Sequence, residues 1–151
     1  MHVWRLFRRR FLSTAFTGAG GMYAASRWNH LEVPMVYTAT SRALAALEFF
    51  VNLEPNEAPD DLLMAEAAVP DEFIEMLDLK QLPRNWRNLD NERCRELGTA
   101  WTAGLRSLAL KVPSVVVEGD WNVLLNPKHP AFAKVKIGSA KPFRFNERMF
   151  R

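Results

Sequence analysis

At 151 residues and 17.3 kDa the chain has the size of one compact domain, spanning residues 1–151, in which folding removes roughly two-thirds of the extended surface from water. Apolar residues at 48% and charged residues at 25% are ordinary globular usage, which excludes gross disorder, collagen-like repeats and coiled coil. The single cysteine, Cys94, excludes an internal disulfide framework and a thiolate zinc cluster and fits a reducing, cytoplasmic address, while a net charge of +3 is too small to argue for nucleic acid.

The charge is segregated. Residues 43–79 carry ten acids and no Lys or Arg, the first ten residues hold Arg5, Arg8, Arg9 and Arg10, and residues 128–151 hold seven basic side chains against Glu147 alone. Such segregation serves either a partner surface or solvated faces that meet in the fold. Arg8-Arg9-Arg10-Phe11-Leu12-Ser13 has the look of a twin-arginine export signal. However, Gly18, Gly20 and Gly21 interrupt the apolar run behind it, and the expectation is a protein that is not exported. No stretch approaches the ~20 apolar residues of a membrane span.

In chain order, residues 3–6 open a strand and residues 17–21 form a flexible glycine-rich loop. Tyr23 stands where a G-x-G-x-x-G fingerprint needs its last glycine, so a Rossmann site is excluded. Residues 22–28 and 34–38 read as strands, the second rich in β-formers. Thr40 or Ser41 caps a helix running to about Val51. At 100° per residue Leu44, Leu47 and Val51 share a stripe, and Glu48 falls inside it, about 40° from Leu44. Arg42 lies about 160° from Leu44, faces solvent and does not neutralise that carboxylate.

Residues 52–60 are an acidic, proline-bearing loop, residues 62–69 a strand, 70–79 a short helical or turn segment and 82–89 an irregular stretch. Cys94, Leu97, Trp101 and Leu105 repeat at helical spacing and predict a helix over 91–107, with Cys94 a buried, inert thiol on its apolar stripe. Residues 112–117 read as a strand, 122–126 with Pro127 as a structured turn, and 132–137 and 142–145 as closing strands. The expected fold is a single α+β domain with a mostly antiparallel sheet and flanking helices.

Several standard chemistries are absent. His2, His30 and His129 belong to no metal-ligand pattern, so no metal is expected, and there is no G-x-S-x-G elbow or P-loop. What remains is a set of polar residues in apolar or tightly turned surroundings: Arg27, Asn29, Tyr37, Glu48, Ser114 and Asn126. Singly, each has a plain structural explanation: surface strand, core aromatic, strand-entry hydroxyl, turn former. Glu48 is the hardest to explain so, because a carboxylate on a buried stripe is costly unless paired or functional.

The ordered motifs Gly20-Gly21, Ser26-Arg27-Trp28-Asn29, Pro34-Met35-Val36-Tyr37-Thr38-Ala39, Ala46-Leu47-Glu48, Val112-Pro113-Ser114 and Asn122-Val123-Leu124-Leu125-Asn126-Pro127 together resemble the RES-domain family, over nearly the whole chain. The resemblance implies the toxin half of a bacterial toxin-antitoxin pair, with a fold similar to ADP-ribosyltransferase toxins and NAD as substrate. It puts the name-giving positions on Arg27, Glu48 and Ser114, with the family's tyrosine and asparagine on Tyr37 and Asn126. It further implies a partner, an Xre-type helix-turn-helix antitoxin occluding the site, and water, phosphate or a protein as acceptor of ADP-ribose.

The implied chemistry suits those residue types. Cleavage of the nicotinamide-ribose bond develops positive charge at the anomeric carbon, which the Glu48 carboxylate stabilises. Arg27 offers a forked guanidinium to the pyrophosphate, Tyr37 a stacking face, and Ser114 and Asn126 hydroxyl and amide groups for ribose or carboxamide. Two other readings compete: an RNA-binding or RNA-cleaving toxin that uses the N-terminal arginines, and a noncatalytic module that binds a basic partner through its acidic middle.

Overall fold

The computed structural model describes residues 1–151. One eight-stranded sheet dominates it, built from β1 (His2–Arg8), β2 (Val36–Ala39), β3 (Leu62–Ala68), β4 (Ile74–Met76), β5 (Ala109–Pro113), β6 (Trp121–Leu125), β7 (Lys136–Ile137) and β8 (Lys141–Phe143). The strand order is β4-β5-β6-β2-β1-β3-β7, with β8 also pairing β3, and every pairing except β4 with β5 is antiparallel. This is the mostly antiparallel α+β architecture expected. The helices are α1 (Ala19–Tyr23), α2 (Arg42–Phe50) and α3 (Glu92–Gly104). None is long and apolar enough to cross a membrane.

Alternation along β1 explains why both faces of the sheet are covered. Val3 and Phe7 join Val36, Leu63, Ala65, Val123 and Leu125 in one core, while Leu6 points the other way, to Ala39, Met64 and the α2 residues Leu44 and Ala45. A third cluster joins Trp28, Trp86, Cys94 and Trp101 to Leu110 and Leu124. Helix α2 begins where expected: Ser41 accepts a hydrogen bond from the Leu44 amide at 3.0 Å, and Arg42 lies on the solvent side against Glu66 and the Trp4 ring.

Three stretches differ from the expectation. Residues 22–28 are not a strand. Gly18, at φ 78°, turns the chain into α1, and the backbone after it is held by the Asn29 amide, which donates to the carbonyls of Ala24 and His30 at 3.1 and 3.0 Å. The expected turn at 122–126 is the strand β6, hydrogen-bonded on both sides to β2 and β5. The strand expected at 112–117 lies earlier, at β5, because the Ser114 hydroxyl accepts from the amides of Val116 and Val117 and bends the chain there. Smaller shifts occur elsewhere. Residues 70–79 contribute the edge strand β4, and 132–137 and 142–145 shrink to a 3-10 turn with β7 and to β8.

One irregularity positions the site. Strands β1 and β2 are neighbours joined at a single register pair, Trp4↔Ala39, so the sheet opens beside it. In that opening the Arg5 guanidinium donates through Nη1 to the Tyr37 carbonyl at 2.8 Å, taking the place of a backbone rung.

Candidate functional site

The cleft at this opening has a volume of about 920 Å³, within the roughly 300–1,000 Å³ typical of small-molecule sites. Arg5, Arg27, Tyr37, Glu48 and Asn122 all border it. Of the residues singled out in sequence, Arg27, Tyr37 and Glu48 therefore come together, and Ser114 joins them through Glu48. Asn126 does not border the cleft. It is fully buried, its Nδ2 donating to the Thr102 carbonyl at 2.9 Å and its Oδ1 accepting from the Lys128 amide at 3.1 Å, which is the behaviour of a turn former.

Glu48, two turns into α2, is partly buried, and two donors hold its Oε1: the Ser114 hydroxyl at 2.8 Å and Asn122 Nδ2 at 2.7 Å. Ser114 Oγ already accepts two backbone amides, so its single O–H has only Glu48 left to address. Its direction is thereby fixed. Glu48 Oε2 takes no protein donor and is the oxygen available to a ligand.

Arg27 donates through Nη1 to the carbonyls of Trp86 and Asn88 at 2.6 and 2.9 Å, which ties the irregular segment to the cleft wall. The turn that follows it is packed against α3. A Cβ at Gly98 of α3 would collide with the Trp28 carbonyl, so only glycine lets α3 approach so closely. Tyr37 donates its hydroxyl to Asn29 Oδ1 at 2.7 Å and accepts from the Trp28 amide at 3.1 Å, and burial pushes its ionisation well above the usual tyrosine range. The hydroxyl is thus committed to holding the Trp28-Asn29 turn, and the residue borders the cleft while packing against the Trp28 cluster.

Sequence reasoning missed two residues. Arg5 is mostly buried with no carboxylate beside it, and burial lowers its pKa to about 10, which still leaves it cationic at neutral pH. Its signal was legible, since period-two alternation places Arg5 in file with Val3 and Phe7. Asn122 was hidden inside the stretch read as a turn. By contrast, Arg8 is neutralised by Glu57 and Asp61, and Arg95 by Asp90 and Glu92. Arg5 and Arg27 are the cleft's cations free of carboxylates.

Three buried side-chain polar atoms have no hydrogen-bond partner: Trp4 Nε1, Arg5 Nε and Asn122 Oδ1. All three residues border this cleft. An orphaned buried polar group costs about 1–3 kcal/mol, and such groups gather where a ligand supplies the missing partner. Cys94 is the expected buried thiol, its ionisation pushed up by burial, and no group of histidines, cysteines and carboxylates able to hold a metal occurs.

The split sheet thus brings two guanidiniums free of carboxylate partners and a clamped carboxylate to the border of one cleft. Residues 2–146 match the RES domain model, and the chain belongs to the RES domain family. Within it, the chain is 34% identical to the Toxin Res of Photorhabdus laumondii, over 89% of this chain and 86% of that protein. It is 33% identical to the Prs ADP-ribosylating toxin of a Sphingobium species, over 98% and 96%. These relatives make it a RES-domain toxin. In fold it is similar to a chain of the solved M. tuberculosis MbcT-MbcA toxin-antitoxin complex, with a TM-score of 0.70 at 15% identity, over 95% of this chain and 84% of that one.

Proposed function

We propose that this toxin cleaves the nicotinamide-ribose bond of NAD and belongs to a cytoplasmic toxin-antitoxin pair. The observation that carries the reading is Glu48, held at Oε1 by Ser114 and Asn122 with Oε2 open to the same cleft as Arg5 and Arg27. A relative that is an ADP-ribosylating toxin supports the same substrate.

In this reaction the C–N bond between ribose and nicotinamide breaks, its electron pair leaves with the nicotinamide nitrogen, and positive charge builds on the anomeric carbon and ring oxygen. The Glu48 carboxylate stabilises that charge more in the transition state than in the ground state, because two donors hold it in place before the substrate arrives. Arg5 and Arg27 bind the pyrophosphate; the forked geometry of a guanidinium suits two phosphate oxygens at once. The Tyr37 ring packs against the nicotinamide. An acceptor oxygen from water, phosphate or a protein side chain then forms the new bond to the anomeric carbon and releases its proton. Asn126 supports the turn behind the cleft in this mechanism.

The partner in this reading is an Xre-type helix-turn-helix antitoxin whose acidic side chain or C-terminal carboxylate enters the cleft at the two arginines. The RNA-cleaving alternative lacks an acid-base pair, since His2, His30 and His129 all lie outside the cleft lining.

Incubating the purified protein with NAD and following nicotinamide by chromatography tests the reading. Release of nicotinamide is expected, and ADP-ribose, its phosphate ester or a modified protein identifies the acceptor. Intact NAD after prolonged incubation overturns it.

A further inference from the structure

We propose that Asn122 is a positioning residue that works in two directions at once, fixing Glu48 through its amide nitrogen and a sugar hydroxyl of the substrate through its amide oxygen. The inference rests on the NAD-cleaving reading and adds a residue to it.

Asn122 sits on the interior strand β6, in register with Ala39 on one side and Val112 on the other, and Ala39 in turn is in register with Trp4. Backbone pairing on both edges fixes where its side chain begins. Asparagine is a poor strand residue, and the local chain Trp121-Asn122-Val123 offers no turn to favour it. Its position is explained instead by Glu48, whose Oε1 takes Nδ2 at 2.7 Å. A carboxylate oxygen only accepts, so the nitrogen of the amide must face it and Oδ1 must face away.

That oxygen is buried and takes no donor from the protein, although the residue borders the cleft. The ligand group that satisfies it is a donor standing next to Glu48. In NAD the donors nearest the bond that breaks are the ribose hydroxyls. One amide thereby ties the orientation of the carboxylate to that of the sugar, and both are set before bond cleavage begins.

The test compares Asn122→Ala with the isosteric Asn122→Asp, which keeps an acceptor and loses the donor. In steady-state NAD consumption, Asn122→Asp is expected to lower kcat about tenfold or more with KM within about threefold, and Asn122→Ala to lower kcat similarly while raising KM about fivefold or more. ADP-ribose, which keeps the sugar hydroxyls and lacks nicotinamide, should bind Asn122→Ala more weakly by the same factor as the change in KM. Unchanged ADP-ribose affinity alongside a raised KM assigns Oδ1 to the carboxamide and overturns the hydroxyl contact. Wild-type kcat and KM in both variants overturn the inference while NAD cleavage by the parent stands. Equal losses in the two variants that track a fall in melting temperature reduce Asn122 to a structural residue and overturn it too. A parent protein that leaves NAD intact sinks the proposed function, and this inference with it.

Discussion

The Ser114 hydroxyl donates to Glu48 Oε1 at 2.8 Å across 66 residues of sequence, joining the exit of β5 to the second turn of α2. Because Ser114 also accepts the Val116 and Val117 amides, the bend that ends the strand and the clamp on the carboxylate are one hydrogen-bonded unit. Glu48→Gln keeps an oxygen for both donors and should fold normally. It removes the charge, and NAD consumption is expected to fall about a hundredfold or more. Near-parental turnover would strip Glu48 of its catalytic role.

Arg27→Lys should weaken NAD binding by roughly 1.5–3 kcal/mol, because an ammonium cannot make the forked contact to a pyrophosphate. The same change loosens the hold on the Trp86 and Asn88 carbonyls. Calorimetry on the variant measures the first effect. Parental affinity would confine Arg27 to its structural contacts.

At Tyr37 the ring and the hydroxyl separate cleanly. Tyr37→Phe leaves Asn29 Oδ1 and the Trp28 amide without their partner, a cost of about 1–3 kcal/mol in denaturant unfolding. The aromatic ring survives at the border of the cleft, so NAD turnover in the folded protein should exceed that of Tyr37→Ala. The reverse ranking would make the hydroxyl the group that meets the substrate.

Gly98→Ala pushes a methyl group into the Trp28 carbonyl, and the backbone must move to admit it. Overpacking of this kind typically destabilises by about 1–3 kcal/mol. Since the displaced turn carries Arg27, the melting temperature and NAD affinity should fall together. A variant as stable as the parent would show that α3 can withdraw without effect.

Glu75 on β4 accepts from Arg106 and from Ser107, which itself accepts from Trp101, and Arg106 holds the Glu75 carboxyl below its ordinary value of 4.5. A lowered folded value means the unfolded chain binds the proton more readily in acid. The stabilisation is complete above the ordinary value and fades as pH falls through the lowered one. Glu75→Gln should therefore flatten part of the loss of melting temperature as the pH falls below the ordinary value of 4.5. Identical curves for parent and variant would refute the coupling.

Much of the fold is written locally. Ser41 before an apolar stripe specifies the start of α2 and sets Glu48 on its inner side, since a helix has a fixed angular step and a capping hydroxyl satisfies a free amide. The apolar repeat of Cys94 and Trp101 likewise specifies α3, and the order of short motifs marks the family. What the local pattern could not settle was pairing. Residues 122–126 with Pro127 look like a turn from Asn122, Asn126 and the proline, yet two distant strands claim the hydrogen bonds of residues 122–125, and that choice put Asn122 rather than Asn126 beside Glu48. Residues 22–28 have strand-like composition but no strand to pair with, and the buried Asn29 amide takes the Ala24 carbonyl instead. The role of Arg5 depends on the opening between β1 and β2, where its guanidinium bridges a gap that exists only once both strands are in place. Periodicity and capping act within a few residues and are legible in order along the chain, whereas hydrogen-bond partners and the charges left uncompensated are set by segments far apart in sequence.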